Sequence, residues 1–230
     1  MSTLIIAAHP DDEVLGCGGT MARLTAAGED VHVVILGEGL TSRYANRSEA
    51  EGALLEDLHA NARSTNQLLG VQNVIIHDLP DNRFDTVPLL EIVKLIEAVV
   101  DRVQPRVIYT QHGGDLNIDH VITFRATLTA TRPVRGCTVE AVYAYEVPSS
   151  TEWAFDSFAP AFKPNVFVDV ASTLDAKIQA MAVYESESRD FPHPRSPQSI
   201  RAQARRWGSA SGLDAAEAFE LIRWVRATHV

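Results

Sequence analysis

The sequence predicts an α/β fold: a mostly parallel sheet flanked by helices, with a helical segment at the carboxyl end. Three observations predict it. Apolar runs of strand length alternate with longer stretches of helical period, the pattern of successive βαβ units. Glycine and proline fall at the junctions between them. Polar turns rich in carboxylates and histidine follow two of the strands, where an open α/β sheet collects its ligands.

Taken in order, the apolar residues 3–8 form the first strand. They give way to His9-Pro10-Asp11-Asp12-Glu13 and a helix over about 13–27, closed by Gly28. Residues 31–36 make a second strand that ends in Gly37-Glu38-Gly39, a loop a substrate could approach closely. Ser42-Arg43-Tyr44 follows there, with Arg43 as a candidate substrate contact. A helix is expected over 48–69 before Gly70, and a strand over 74–76 with a polar exit, Leu79-Pro80-Asp81-Asn82-Arg83-Phe84-Asp85. Pro88 opens a helix through Val100, and Pro105 ends that region. The fourth strand, 107–110, leads into a second polar cluster from Gln111 to His120 and a helix to about Ala130. Alternation over 139–147 and 165–170 predicts two further strands. Helices are expected over 174–187, around Arg201, Arg205 and Arg206 after a proline-rich turn, and over 214–224.

A chain of 230 residues that is 46% hydrophobic can bury one substantial core, so a single domain over 1–230 with a helical segment over about 172–230 is expected. Twenty basic against thirty acidic side chains give a net charge of −10, which argues against nucleic acid or an anionic membrane as the main partner. The apolar runs are shorter than the roughly 20 residues that cross a bilayer, and no basic-then-apolar leader precedes them, so a cytoplasmic protein is expected. Cys17 and Cys137 make neither a disulfide framework nor a thiolate metal site. Any metal must then be held by nitrogen and oxygen.

One imidazole and three carboxylates in five residues at a strand's end would repel one another without a cation among them. His9 and Asp12, three apart at a helix start, can offer a nitrogen and an oxygen to one ion, and His120 supplies the third ligand. A His/Asp/His set leaves a position open for water, as in a catalytic zinc site. Asp11, between the two ligands, is the candidate general base for attack on an amide or ester carbonyl. The plainer reading of His9, Asp11 and Asp12 is a helix N-terminus carrying favourable acids, worth about 0.3–1 kcal/mol each. That reading weakens because Asp119-His120 recurs after another strand, and a helix dipole asks for a histidine in neither place. Asp119 is a cap or a partner that orients an imidazole.

The stretches Ala8-His9-Pro10-Asp11-Asp12-Glu13 and Asn117-Ile118-Asp119-His120 resemble the two hallmark motifs of the PIG-L (LmbE-like) zinc-dependent N-acetyl-sugar deacetylases. Pro80-Asp81-Asn82-Arg83 and Phe191-Pro192-His193-Pro194-Arg195-Ser196 also look like segments of bacterial members, so the similarity runs from about residue 4 to 220. The resemblance implies a Rossmann-like fold and hydrolysis of an N-acetyl group from an N-acetylglucosamine-type sugar or glycoconjugate. It matches His9, Asp12 and His120 to the zinc ligands, Asp11 to the base, and Arg83, with Asp85, to substrate contact. Iron(II), cobalt or manganese would suit the same ligands. A homo-oligomer is compatible with it. Asn117 departs from the family pattern, standing where many relatives have a histidine that acts as acid or oxyanion stabiliser. Asparagine can donate a hydrogen bond but supplies no proton at neutral pH. His112 and His193 are then the candidate acids, with His112 also a candidate partner near the site, unless Asp11 carries the proton alone. The alternatives are an amidohydrolase of a non-sugar acylated amine and a non-catalytic metal- or sugar-binding protein.

Overall fold

The computed structural model describes residues 1–43 and 52–226. Among them, seven strands form one sheet: β1 (Ser2–Ala7), β2 (Asp30–Gly37), β3 (Asn73–Leu79), β4 (Val107–Gln111), β5 (Ala141–Tyr145), β6 (Val166–Asp169) and β7 (Ala216–Trp224). Their order is β3-β2-β1-β4-β5-β7-β6. β1 to β5 pair in parallel, and only β7 runs against its neighbours. The helices are α1 (Asp12–Ala26), α2 (Gly52–Leu68), α3 (Leu89–Val103), α4 (Ile118–Ala130), α5 (Leu174–Val183) and α6 (Pro197–Ser211).

Strand periodicity divides the core. Along β1, buried from Thr3 onward, Ile5 and Ala7 face a cluster with Val14, Leu15 and Met21 of α1, while Leu4 and Ile6 face Ile92, Ile96 and Val99 of α3. Both faces of the central strands are covered, so their sequences read as unbroken apolar runs. Gly16 is needed where α1 crosses the sheet. A Cβ there would collide with the Tyr145 ring, whose hydroxyl donates 2.9 Å to the Ile6 carbonyl.

The predicted α/β class holds, with a mostly parallel sheet flanked by helices. The expected helix over 214–224 is instead β7, inserted between β5 and β6. Alanines, glutamates and leucine favour a helix there, but pairing on both edges and burial of Phe219 override that preference. Glu217, buried on β7, accepts from Gly19 N, Thr20 N and Lys177 Nζ, a set of partners that local sequence does not reveal. The helix expected over 174–187 stops at Val183, freeing Tyr184 to bury its ring and donate 2.6 Å to Glu13. The first residues of the helix expected over 48–69 lie outside the described residues.

The chain steps outward from β1 to β2 and β3, then returns to β4 on the other side of β1. Successive crossovers therefore leave β1 and β4 in opposite directions and open a crevice beyond their carboxyl ends. Both polar clusters empty into it. Among the described residues no helix is long and apolar enough to cross a membrane.

Candidate active site

The turn after β1 is held in an unusual backbone conformation. Asp11 has φ 103°, a left-handed value that costs a side-chain-bearing residue energy, and its backbone N–H donates 3.0 Å to Glu13. Although Asp11 occupies the N-cap position of α1, its carboxylate makes no capping bond. Strain at that residue, with the side chain left unspent on the helix, disfavours the plain dipole reading of this motif.

Asp12 turns back instead. Its Oδ2 accepts from His9 N at 2.8 Å and from Gln111 Nε2 at 3.1 Å, and lies 3.4 Å from His9 Nδ1 and 3.3 Å from His120 Nε2. One donor atom each from His9, Asp12 and His120 falls within 4.8 Å of the others. The outer nitrogen of each imidazole faces a carboxylate: His9 Nε2 is 2.9 Å from Asp119 and His120 Nδ1 is 3.2 Å from Asp115. Such carboxylate–imidazole pairs fix ring orientation and turn the remaining nitrogen toward a metal. Asp119 is itself fixed, accepting from Asn82 N at 2.6 Å and Phe84 N at 2.9 Å. Asp115 accepts from Ser150 Oγ, from Thr151 Oγ1 at 2.6 Å and from Asn117 N at 2.9 Å.

Five carboxylates, those of Asp11, Asp12, Asp81, Asp115 and Asp119, are each at most 4% exposed. This surplus of negative charge stabilises positive charge on the imidazoles. Burial opposes a charged His120, yet Asp12 and Asp115 outweigh it and take the pKa to about 9. At His9 burial again opposes the charge, and Asp119, Asp12 and Asp81 raise the pKa well above the usual value. For Asp12, burial would raise the pKa, but His120 and His9 hold it well below the carboxylate range. Two imidazole nitrogens and a carboxylate oxygen, converging in a buried site short of cations, fit a divalent metal ion.

Burial pushes the Asp11 carboxyl the other way, well above its ordinary range, although Arg195 opposes the rise. Asp11, Asn117, Trp153, His193 and Arg195 line a cavity of about 300 Å³ with the ligand set. Asn117 caps α4, its Oδ1 accepting from Asp119 N at 2.9 Å, which leaves the amide NH₂ as donor. His193 Nδ1 accepts from Arg195 N at 3.1 Å, so the neutral ring carries its proton on Nε2. Burial, Arg195 and Arg189 lower its pKa.

His112 does not join the site. Gln111 at the end of β4 faces Asp12, and strand alternation sends the next residue away; both ring nitrogens of His112 are committed, to Glu220 at 2.7 Å and to the Pro160 carbonyl at 2.8 Å. Arg83 is exposed and does not line the cavity. Asp85 borders a separate hollow with Phe84 and Ile122, because the 3₁₀ turn Phe84–Thr86 points it outward. The side chain of Arg43 lies outside the described residues. Sequence reasoning assigned no role to Asp115, Asp81, Gln111, Glu187, Trp153 or Arg195. Asp115 and Gln111 carried a signal, as members of the same polar cluster as His120, and Asp81 and Arg195 stood within the two further family-like segments; Glu187 and Trp153 are joined to the site only by tertiary contacts.

Residues 4–131 match the family described as PIG-L, GlcNAc-PI de-N-acetylase. The chain belongs to that family. It is 28% identical over 192 residues to the uncharacterized deacetylase YaiS of Escherichia coli, covering 80% of this chain and 90% of that one. It is 24% identical over 234 residues to diacetylchitobiose deacetylase of Thermococcus kodakarensis, covering 95% and 82%. The crystal structure of GalB, the 4-carboxy-2-hydroxymuconate hydratase of Pseudomonas putida, superposes with a TM-score of 0.76 at 20% identity, over 100% of this chain and 98% of the other. That last likeness concerns the fold alone, and a fold can host more than one reaction, so function has to be argued from the site.

Proposed function

We propose that the protein is a zinc-dependent hydrolase that removes the N-acetyl group from an N-acetylglucosamine-type sugar or glycoconjugate, releasing acetate and a free amine. One observation carries the reading: a buried His9/Asp12/His120 donor set shares a cavity with an aspartate, Asp11, that no helix cap consumes. Membership of a de-N-acetylase family supports it. The cavity, about 300 Å³, has room for about one sugar ring, and Trp153 offers that ring an apolar face in a mostly polar lining.

A divalent ion held by His9, Asp12 and His120 would bring the pKa of water near 7 and polarise the acetamide carbonyl. Asp11 takes the proton as the water oxygen bonds to the carbonyl carbon and the carbonyl electrons move onto oxygen. Asp11, which lines the cavity and makes no helix-capping bond, then delivers that proton to the sugar nitrogen as the C–N bond breaks. Asn117 Nδ2 and His193 Nε2–H donate to the carbonyl oxygen as it gains charge. His193, whose Nδ1 accepts from Arg195 N, acts through Nε2–H as a hydrogen-bond donor, and Asp11 supplies the proton the amine needs.

The test is acetate release from a panel of N-acetylglucosamine derivatives by metal-loaded protein. Asp11→Asn should lower kcat by about 10²–10⁴-fold while binding metal as the wild type does. Release of no acetate from any panel member, or unchanged kcat in Asp11→Asn, would sink the reading.

A further inference from the structure

Arg195 sits in the segment between α5 and α6, beyond the residues 4–131 that carry the family match, yet it reaches the proposed base. Its Nη1 lies 2.6 Å from Asp11 Oδ2 and 3.0 Å from Glu187 Oε2, and its Nε donates to Ser149 Oγ at 2.8 Å. Three segments therefore meet on one guanidinium: the turn after β1, the loop after β5 and the loop after α5. The backbone beside it is braced as well, with Arg195 N on His193 Nδ1 and Ser196 N on the His193 carbonyl at 2.9 Å. Arg195 is the only side chain that hydrogen-bonds the Asp11 carboxylate among the described residues, and it takes one oxygen, leaving Oδ1 without a partner in a residue that lines the cavity.

We propose that Arg195 is the positioning residue of the base: it clamps Asp11 Oδ2 against Ser149 and Glu187, so that Oδ1 alone faces the reacting water and amine. This rests on the deacetylase reading above. A rigid planar fork braced on several acceptors suits the task better than a flexible ammonium. A freely turning carboxylate would present the wrong oxygen or tilt away from the water, and a misplacement of about 1 Å can cost about 100-fold in rate. The clamp gives a residue after 131 a part in a site whose proposed ligands all lie before it.

Arg195→Ala should lower kcat about 100-fold with KM within about threefold of wild type, and leave metal stoichiometry unchanged, since Arg195 is no ligand. Millimolar guanidinium should restore part of the lost kcat. Arg195→Lys should fall between the two. In an Asp11→Asn background, Arg195→Ala should cause little further loss. A thermal-unfolding cycle over the same variants should be non-additive, because the two residues are in contact. That cycle needs no turnover: if the wild type releases no acetate, the functional reading fails while the cycle still decides whether the clamp exists. The proposal is overturned if Arg195→Ala raises KM with kcat unchanged, if guanidinium restores nothing, or if the unfolding cycle is additive.

Discussion

Replacing Asp119 tests the logic of the site most directly, because its carboxylate is fully buried and bears on both fold and metal. Oδ1 accepts from Phe84 N at 2.9 Å, and Oδ2 from Asn82 N at 2.6 Å and His9 Nε2 at 2.9 Å. In Asp119→Ala, Phe84 N–H and the His9 ring N–H lose their acceptor in a buried setting. At about 1–3 kcal/mol for each stranded donor, the loss is about 2–6 kcal/mol, a large part of the roughly 5–15 kcal/mol that holds a domain together. Asp119→Asn is the milder probe. It keeps the shape and one acceptor oxygen, but presents an NH₂ to a neighbouring donor and removes the charge that orients His9. Loss of such an orienting partner weakens metal binding by about 10–100-fold. Chelator-competition titration of zinc, with urea unfolding of the metal-free protein alongside, reads both quantities. A zinc affinity for Asp119→Asn within threefold of wild type would refute the orienting role of the Asp119–His9 pair.

Three further outcomes follow from the same geometry. His193→Ala should lower kcat by about 10²-fold, the usual cost of removing one oxyanion donor, yet keep the shape of the pH–rate profile; disappearance of a limb would show that His193 titrates as the acid. Glu13 is raised by burial to about 7, against an unfolded value near 4.5, so the folded metal-free protein binds the extra proton between those values. Its stability should be greatest below about pH 4.5 as far as this group is concerned and fall as pH rises through 7, by an order of 3 kcal/mol; Glu13→Gln should flatten that slope, and an unchanged slope in urea unfolding would refute the assignment. Gly39 has φ 74° and an added Cβ would stand 2.6 Å from Pro10 Cδ. Gly39→Ala should therefore lower the melting temperature and shift the turn that carries Asp11, and a melting curve superposable on wild type would show that the loop yields freely.

Much of the fold was legible because the signals were local. Buried parallel strands are apolar on both faces, so 3–8 and 31–36 announce themselves, and Pro88, Gly28 and Gly70 mark helix boundaries through backbone chemistry alone. β7 was not legible. Its alanines and glutamates look helical, and what makes the segment a strand is a gap between β5 and β6 that no local pattern describes. The terminal segment after 226 and the stretch around Tyr44 lie outside the described residues.

For the site, the sequence by itself picked out the residues proposed to carry the chemistry. His9, Asp11, Asp12, Asn117, Asp119 and His120 stand at the ends of β1 and β4, and topology alone brings those ends together. Only the tertiary structure decided what surrounds them: that Asp115 rather than Asp119 faces His120, that His112 is turned toward Glu220, that Arg83 and Asp85 lie outside the cavity, and that Arg195 grips Asp11 from 184 residues away. The physical reason is range. Strand period and helix caps act over a few residues and leave a trace in sequence spacing, whereas an ion pair between distant loops depends on where the packed core places both backbones.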